Sequence, residues 1–208
     1  MDGGLISSLL KSQLMMKKRI VLEDSFDKLT TVGGVDQAFL NDKIISSIVV
    51  CDFKTLRVVE KVSSISTAKF PYIPGFLSFR EGPTIVKAFK KLKTKPDVLL
   101  VDGNGILHPR FIGLASHVGV VLDIPTVGVA KSLLTGIVKN CIVYIDNKPV
   151  GFQLYTKKGC NPIYVSPGHR VSLETSLEIV KRCLKGHKLP EPLRLAHLEA
   201  NRTKRLLE

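Results

Sequence analysis

Pro96–Gly105 reads PDVLLVDGNG. Its apolar run, Val98–Val101, has no polar face and is too short for a helix. It predicts a strand buried on both sides. Asp102 ends that strand, and a glycine-rich turn follows. Strands of this kind lie in sheets covered by helices, and such sheets collect ligands at the carboxyl ends of their strands. An Asp-Gly pair is also a common turn, but its place at the end of a buried strand favours a functional Asp102.

Upstream, Val32–Leu40 (VGGVDQAFL), Ile44–Phe53 (IISSIVVCDF) and Leu56–Ser64 predict three strands with short connections, an antiparallel meander. The segment KFPYIPGFLSFREGP (69–83) breaks both periodicities. Helical spacing begins only at Pro83 and runs to Leu92, with Pro83 in the first turn. Downstream, the pattern predicts a helix over Phe111–Leu122, a strand over Pro125–Ala130 and a helix from Lys131. A hairpin follows from Ile142–Ile145 and Pro149–Tyr155, then a strand over Pro162–Ser166. The chain closes with a helix over Ser172–Leu184, whose face is Leu173, Leu177, Val180 and Leu184, and a basic helix in RLAHLEANRTKRLLE. At the start, Leu5, Leu9, Leu10, Leu14 and Met15 fit an amphipathic helix rather than a signal peptide. The order predicts one α/β domain over 1–208, with a mixed central sheet of antiparallel meander and parallel strands, flanked by helices.

Thirty-one Lys and Arg against 18 Asp and Glu give a net charge of +13, which points to a polyanionic partner such as nucleic acid. No apolar run approaches the roughly 20 residues of a membrane span, so no membrane association is expected. The cysteines, Cys51, Cys141, Cys160 and Cys183, have no zinc-knuckle spacing. They read as reduced core thiols of a cytoplasmic protein. The five histidines are likewise too scattered for a local zinc motif.

Asp36 is the only acid in an apolar, glycine-flanked strand, where an uncompensated carboxylate is costly. It either faces solvent or serves a cation. Asp36 and Asp102, from the meander and from a later strand, can lie side by side, and Glu81, placed just before a helix, can join them. Oxygen-only donors suit Mg²⁺ or Mn²⁺. In a basic chain, such a site indicates phosphodiester hydrolysis. Tyr72 lies between Pro71 and Pro74, on a stiff loop that can wedge into a base stack or simply bury an aromatic ring. Lys131 can contact phosphate or be solvated.

The strings PYIPGFLSFREGP (71–83), VDGNGILHPRFIGLASHVGV (101–120), PTVGVAKSLL (125–134) and SPGHRVSLETSLEIV (166–180) closely resemble endonuclease V. So does GGVDQAF (33–39), which departs from the family's pattern at Gln37. The resemblance extends from the first helix to PEPLRLAHLEANRTK (190–204). It implies a ribonuclease H-like fold and Mg²⁺- or Mn²⁺-dependent cleavage at the second phosphodiester bond 3′ to hypoxanthine, in inosine-containing DNA during repair or in RNA, by a monomer. Carried over residue by residue, Asp36 and Asp102 resemble the metal-binding aspartates and Glu81 the third carboxylate. Lys131 resembles the lysine at the scissile phosphate. His197 resembles a further polar residue at the metal, where some relatives carry an acid. Tyr72 resembles the strand wedge, and Gly75, Leu77, Gly103, His108 and Gly113 resemble the pocket for the flipped base.

Overall fold

The computed structural model describes residues 3–208. The elements are α1 (Gly3–Lys17), β1 (Thr31–Leu40), β2 (Lys43–Asp52), β3 (Val58–Thr67), α2 (Leu77–Lys91), β4 (Val98–Asp102), α3 (Leu114–Leu122), β5 (Thr126–Ala130), β6 (Ile137–Lys139), β7 (Ile142–Ile145), β8 (Lys148–Leu154), β9 (Ile163–His169), α4 (Leu173–Arg182) and α5 (Glu191–Arg205). The strands form one sheet in the order β3-β2-β1-β4-β5-β9-β8-β7-β6. β1 to β3 are the antiparallel meander, and β4 and β5 run parallel to β1. A second antiparallel wing, β9 to β6, completes this mixed, ribonuclease H-like sheet.

Side-chain alternation along the strands sorts the core into two layers. Val32, Leu100, Val127 and Val129 pack against Ile179 and Val180 of α4 and Leu193 and Ala196 of α5. Val35, Leu99 and Val101 pack on the other face against Ile85 and Ala88 of α2 and Val118 of α3. Contact with α5 is close at Gly34, where a Cβ would stand 2.2 Å from the Pro192 backbone. Only glycine lets the start of α5 lie that near β1, and this fixes what the next turn of α5 can reach.

Several elements differ from the sequence reading. α2 starts at Leu77, so Pro83 and Glu81 lie inside a helix rather than at its start. Proline disfavours a helical predecessor through a clash with its Cβ, and the predecessor here is Gly82, which has none. α3 begins at Leu114 rather than Phe111, which adopts φ 58°. No helix follows Lys131. Six residues separate β5 from β6, the strand the sequence reading missed, and a helix that short gains too little to offset its nucleation. β9 runs on through Pro167 to His169, because Pro167 sits at a register irregularity against β5 and its carbonyl still accepts from Ile106 N–H at 2.8 Å.

Two helices bury a stripe offset from the expected one. In α4 the buried residues are Ser176, Ile179 and Val180. In α1, Leu9 and Gln13 are buried with Ile6 and Leu10 packed beside them, while Leu5, Leu14 and Met15 face solvent. All four cysteines are free, but only Cys51 and Cys183 belong to the core. Their thiols are pushed up to about 11 and about 12, chiefly by burial. Cys141 is exposed and Cys160 half-buried. No described helix is long and apolar enough to cross a membrane.

Candidate active site and adjoining cavity

Register brings the first two acids together. Val35 of β1 is the parallel partner of Val101 of β4, so Asp36 and Asp102, one residue further, emerge side by side. Both lie on the α5 face, in step with Gly34 and Leu100. On β5 the same alternation carries from Val127 and Val129 to Lys131. The three neighbouring parallel strands therefore present an acid midway along β1, where its pairing with β4 stops, an acid at the end of β4 and a lysine just past β5. α5 adds His197, one residue past the buried Ala196.

The polar contacts are specific. Asp36 is 5% exposed. One of its oxygens accepts from the Gln37 N–H at 2.8 Å, and the other meets His197 Nδ1 at 2.6 Å. Asn201, one turn along α5, contacts the His197 ring through its Nδ2, 3.2 Å from Nε2. Lys131 Nζ donates to Asp102 Oδ2. Glu81 reaches the cluster from α2 and is buried.

Burial and neighbouring charge raise the pKa values of Glu81 and Asp102. Glu81 is pushed up to about 7 by burial, then by the charges of Asp102 and Asp36. Asp102 is pushed up to about 6 by burial and by Asp36, against the pull of Lys131. Burial disfavours the Lys131 charge, but Asp102 more than offsets it, and its pKa stands above the ordinary lysine value. Among the described residues no three His, Cys, Asp or Glu side chains form a ready-made coordination shell. The Asp36 and Asp102 oxygens are held instead by His197 and Lys131. The three carboxylates nonetheless form an oxygen-only set whose repulsion a divalent cation would relieve, and in that sense they fit one.

A cavity of about 270 Å³ begins where this cluster stops. Gly103 and Asn104, directly after Asp102, and Ala130 and Ser132, flanking Lys131, are in its wall. The sequence-derived pocket residues Gly75, Leu77, Gly103, His108 and Gly113 all line it, and Tyr72 stands at its rim. Tyr72 is 68% exposed, so it is not an ordinary ring buried under a loop. Sequence reading missed Asn104, Ile112, Ser132 and Leu134 in the wall. For Ser132 and Leu134 the available signal was nearness in sequence to Lys131, obscured by the helix expected there.

The cavity presents backbone donors. α2 and α3 both start at its wall, at Leu77 and Leu114, and neither has a side-chain cap. Uncapped helix starts leave N–H groups for an acceptor, although here the Ala115 N–H already donates to the Asn104 carbonyl at 2.9 Å and the Phe79 N–H to the Phe76 carbonyl at 3.1 Å. His108 is buried, and burial followed by the Arg110 charge lowers its pKa to about 4. Its Nδ1 accepts from Arg110 N–H at 3.2 Å, which leaves the neutral ring's proton on Nε2. Of the other histidines, His117 packs edge-on to Phe79, and His169 accepts from the Val21 N–H, so both serve the fold.

A family model described as Endonuclease V matches residues 14–198. The chain is 50% identical over 194 residues to Endonuclease V of Dictyoglomus thermophilum, covering 89% of this chain and 85% of that protein. Its structure matches the catalytic domain of human Endonuclease V with a TM-score of 0.91 at 32% identity, covering 99% and 98% of the two chains. It also matches Ciona intestinalis Endonuclease V, solved with a DNA 23mer containing an inosine followed by a ribo-adenosine. There the TM-score is 0.90 at 28% identity, over 100% of both chains.

Proposed function

The chain belongs to the endonuclease V family, and from that premise we propose that it is a divalent-metal endonuclease that cuts nucleic acid on the 3′ side of hypoxanthine. The observation that carries this reading is the adjacency of two unlike sites. An acidic cluster drawn from β1, β4 and α2, with Lys131 beside it, continues within one residue into a largely apolar cavity of about 270 Å³ that two helix starts adjoin. That volume lies just under the ~300–1,000 Å³ typical of small-molecule sites and suits a single base. The unbroken nine-stranded sheet supports one catalytic domain over 1–208.

In this reading Asp36 and Asp102 would hold Mg²⁺ or Mn²⁺, and Glu81 would orient the attacking water beside them. A bound divalent cation supplies Lewis acidity at the phosphate and lowers the pKa of the attacking water. Lys131 leaves Asp102 and places its ammonium on the scissile phosphate, where it offsets the charge that develops during hydrolysis. His197, held by Asn201, keeps Asp36 oriented. Because the acids stand beside the cavity rather than inside it, the reacting phosphate is displaced from the captured base, in keeping with cleavage at the second bond 3′ of it.

Tyr72, on its stiff proline-bounded loop, fills the gap the base leaves. The N–H groups at the starts of α2 and α3 that no backbone carbonyl takes suit O6 of hypoxanthine. Adenine carries an amino donor at that position, and each unmatched buried donor costs about 1–3 kcal/mol. The substrate is inosine-containing DNA, as in the Ciona complex, or RNA, and the acting species is a monomer in the cytoplasm. The test is an end-labelled strand with one inosine, incubated with the protein and Mg²⁺. One cut on the 3′ side, dependent on the inosine and abolished by chelator, is expected. Equal cutting of a strand lacking inosine would refute the reading. Competition between inosine DNA and inosine RNA identifies the preferred strand.

A further inference from the structure

Gln13 occupies a core position of α1 and is 1% exposed, although its side chain is polar. A buried amide is retained only where its hydrogen bonds are met. Its Nε2 donates to the Gly75 carbonyl at 2.9 Å, and its Oε1 accepts from Arg110 Nε at 2.6 Å. Arg110 Nη2 donates to that same Gly75 carbonyl at 2.6 Å. One backbone oxygen is thus gripped by two side chains that also bond each other. The guanidinium lies 4.6 Å from the Phe76 ring centroid, and among the described residues no carboxylate pairs with it.

The gripped residue is a sensitive one. Gly75 has φ +80°, and a Cβ there would stand 2.7 Å from Arg110 Nη2. The loop's other end is tied as well, because Arg80 Nη1 donates to the Phe70 carbonyl at 2.6 Å. Between the two ties lies Tyr72, with Ile73 and Phe76 seated near Leu9 of α1. The family match begins at residue 14, so Gln13 lies outside it.

We propose that Gln13 and Arg110 are positioning residues that lock the Gly75 carbonyl and thereby pre-order the Tyr72 loop and the cavity rim for an incoming strand. The inference rests on the reading of the cavity as the base pocket. Pre-ordering acts on binding, since a loose loop must be ordered at the expense of affinity. It bears far less on the chemistry, because Asp36 and Asp102 stand on strands and Glu81 lies inside α2, more than a turn beyond Gly75. Lysine cannot substitute for Arg110, having no rigid fork to reach Gln13 and Gly75 together.

The chain contains no tryptophan, so Tyr72→Trp installs a single fluorophore on the loop. In that background, without nucleic acid, Gln13→Ala and Arg110→Lys are expected to lower the anisotropy of the introduced indole and raise its quenching by acrylamide. Gln13→Glu is the isosteric control. It keeps an acceptor for Arg110 and loses the donor to Gly75, and should give a smaller change of the same sign. With Tyr72 restored, the three variants should raise KM for the inosine strand, the first two by roughly fivefold or more, with kcat moving less than about twofold. A lowered melting temperature with the indole anisotropy and KM unmoved would make the pair a core contact only and overturn the proposal. So would a loosened loop with unchanged KM, or a loss confined to kcat. Should the parent protein show no preference for inosine, the base-pocket reading fails, and the fluorescence alone then decides whether the clamp orders the loop.

Discussion

Asp36 and Asp102 stand on adjacent parallel strands and Lys131 directly follows a third, whereas the cavity one residue away is walled largely by loops and helix starts. The strand-end site is made of charged side chains in fixed register, and its groups strain against one another. The cavity wall is mostly apolar, with backbone N–H groups at two helix starts and a histidine held neutral. Hydrolysis needs concentrated charge placed rigidly, and the ends of hydrogen-bonded strands supply that. Reading a base needs donors at fixed points without net charge, and uncapped helix starts supply those. The two regions should therefore fail differently when altered.

The largest expected effect is at the strand ends. Asp36→Asn or Asp102→Asn removes a carboxylate from the cation site and should lower cleavage by at least about 1000-fold. Affinity for an inosine strand should stay within a few-fold, since neither residue lines the cavity. Binding in a titration lost in parallel with cleavage would break the separation between the two regions.

The cavity has a pH signature instead. His108 has its pKa lowered to about 4, by burial and by the neighbouring Arg110 charge. Between about 6.5 and 4 the unfolded chain takes up a proton that the folded chain refuses. Stability present above pH 6.5 is therefore lost as pH falls, by up to about 3 kcal/mol for a shift of this size. His117, lowered to about 4 by burial, adds to the same trend. Urea unfolding at pH 7 and pH 4.5 should show a shallower loss in His108→Asn than in the parent. Parallel losses would mean that His108 is not held neutral.

Tyr72→Ala should come next. Contacts between a base and an aromatic ring are worth about 1–3 kcal/mol, so affinity for the inosine strand should fall by that amount. The rate of cutting at saturation should change far less, because Tyr72 stands at the cavity rim and not among the acids. A variant that binds normally and cuts slowly would assign the ring to the strand-end site.

The two regions were also unequally legible. Val98–Val101 and Val32–Leu40 announce their strands by composition, and the acids follow from being polar where the pattern is apolar. Register did the rest, since parallel pairing of β1 with β4 leaves Asp36 and Asp102 no choice but to be neighbours. The cavity was not visible in any periodicity, and its residues were named only through the resemblance of the surrounding strings. Pro83 hid the first turns of α2, because a proline normally marks a helix start and only the glycine before it lets the helix run through. Gln13 hid the buried stripe of α1. A polar residue at a core position reads as a break in the pattern until its partners, Arg110 and the Gly75 carbonyl, are seen. Long-range contacts of that kind, 62 and 97 residues apart, have no local signature.

The smallest effect should be the most diagnostic of how the strand-end site is built. Glu81 has its pKa raised to about 7 by burial and by the charges of Asp102 and Asp36. From about pH 4.5 upward the unfolded chain releases a proton that the folded chain retains. Stability therefore falls as pH rises toward 7 and stays lower above it, the opposite of the trend at His108. Glu81→Gln cannot ionise and escapes this cost. In chelator at pH 8 it should be more stable than the parent by about 1–2 kcal/mol, allowing for partial relaxation of the site. At pH 4 the difference should vanish. Adding Mg²⁺ should shrink the gain at pH 8, because a bound cation removes the repulsion that the substitution removes. Urea unfolding under these three conditions tests the point. A destabilised Glu81→Gln at pH 8 in chelator would show that the acids are held together by contacts stronger than their repulsion, and the contrast between a strained charged site and a relaxed neutral one would then be lost.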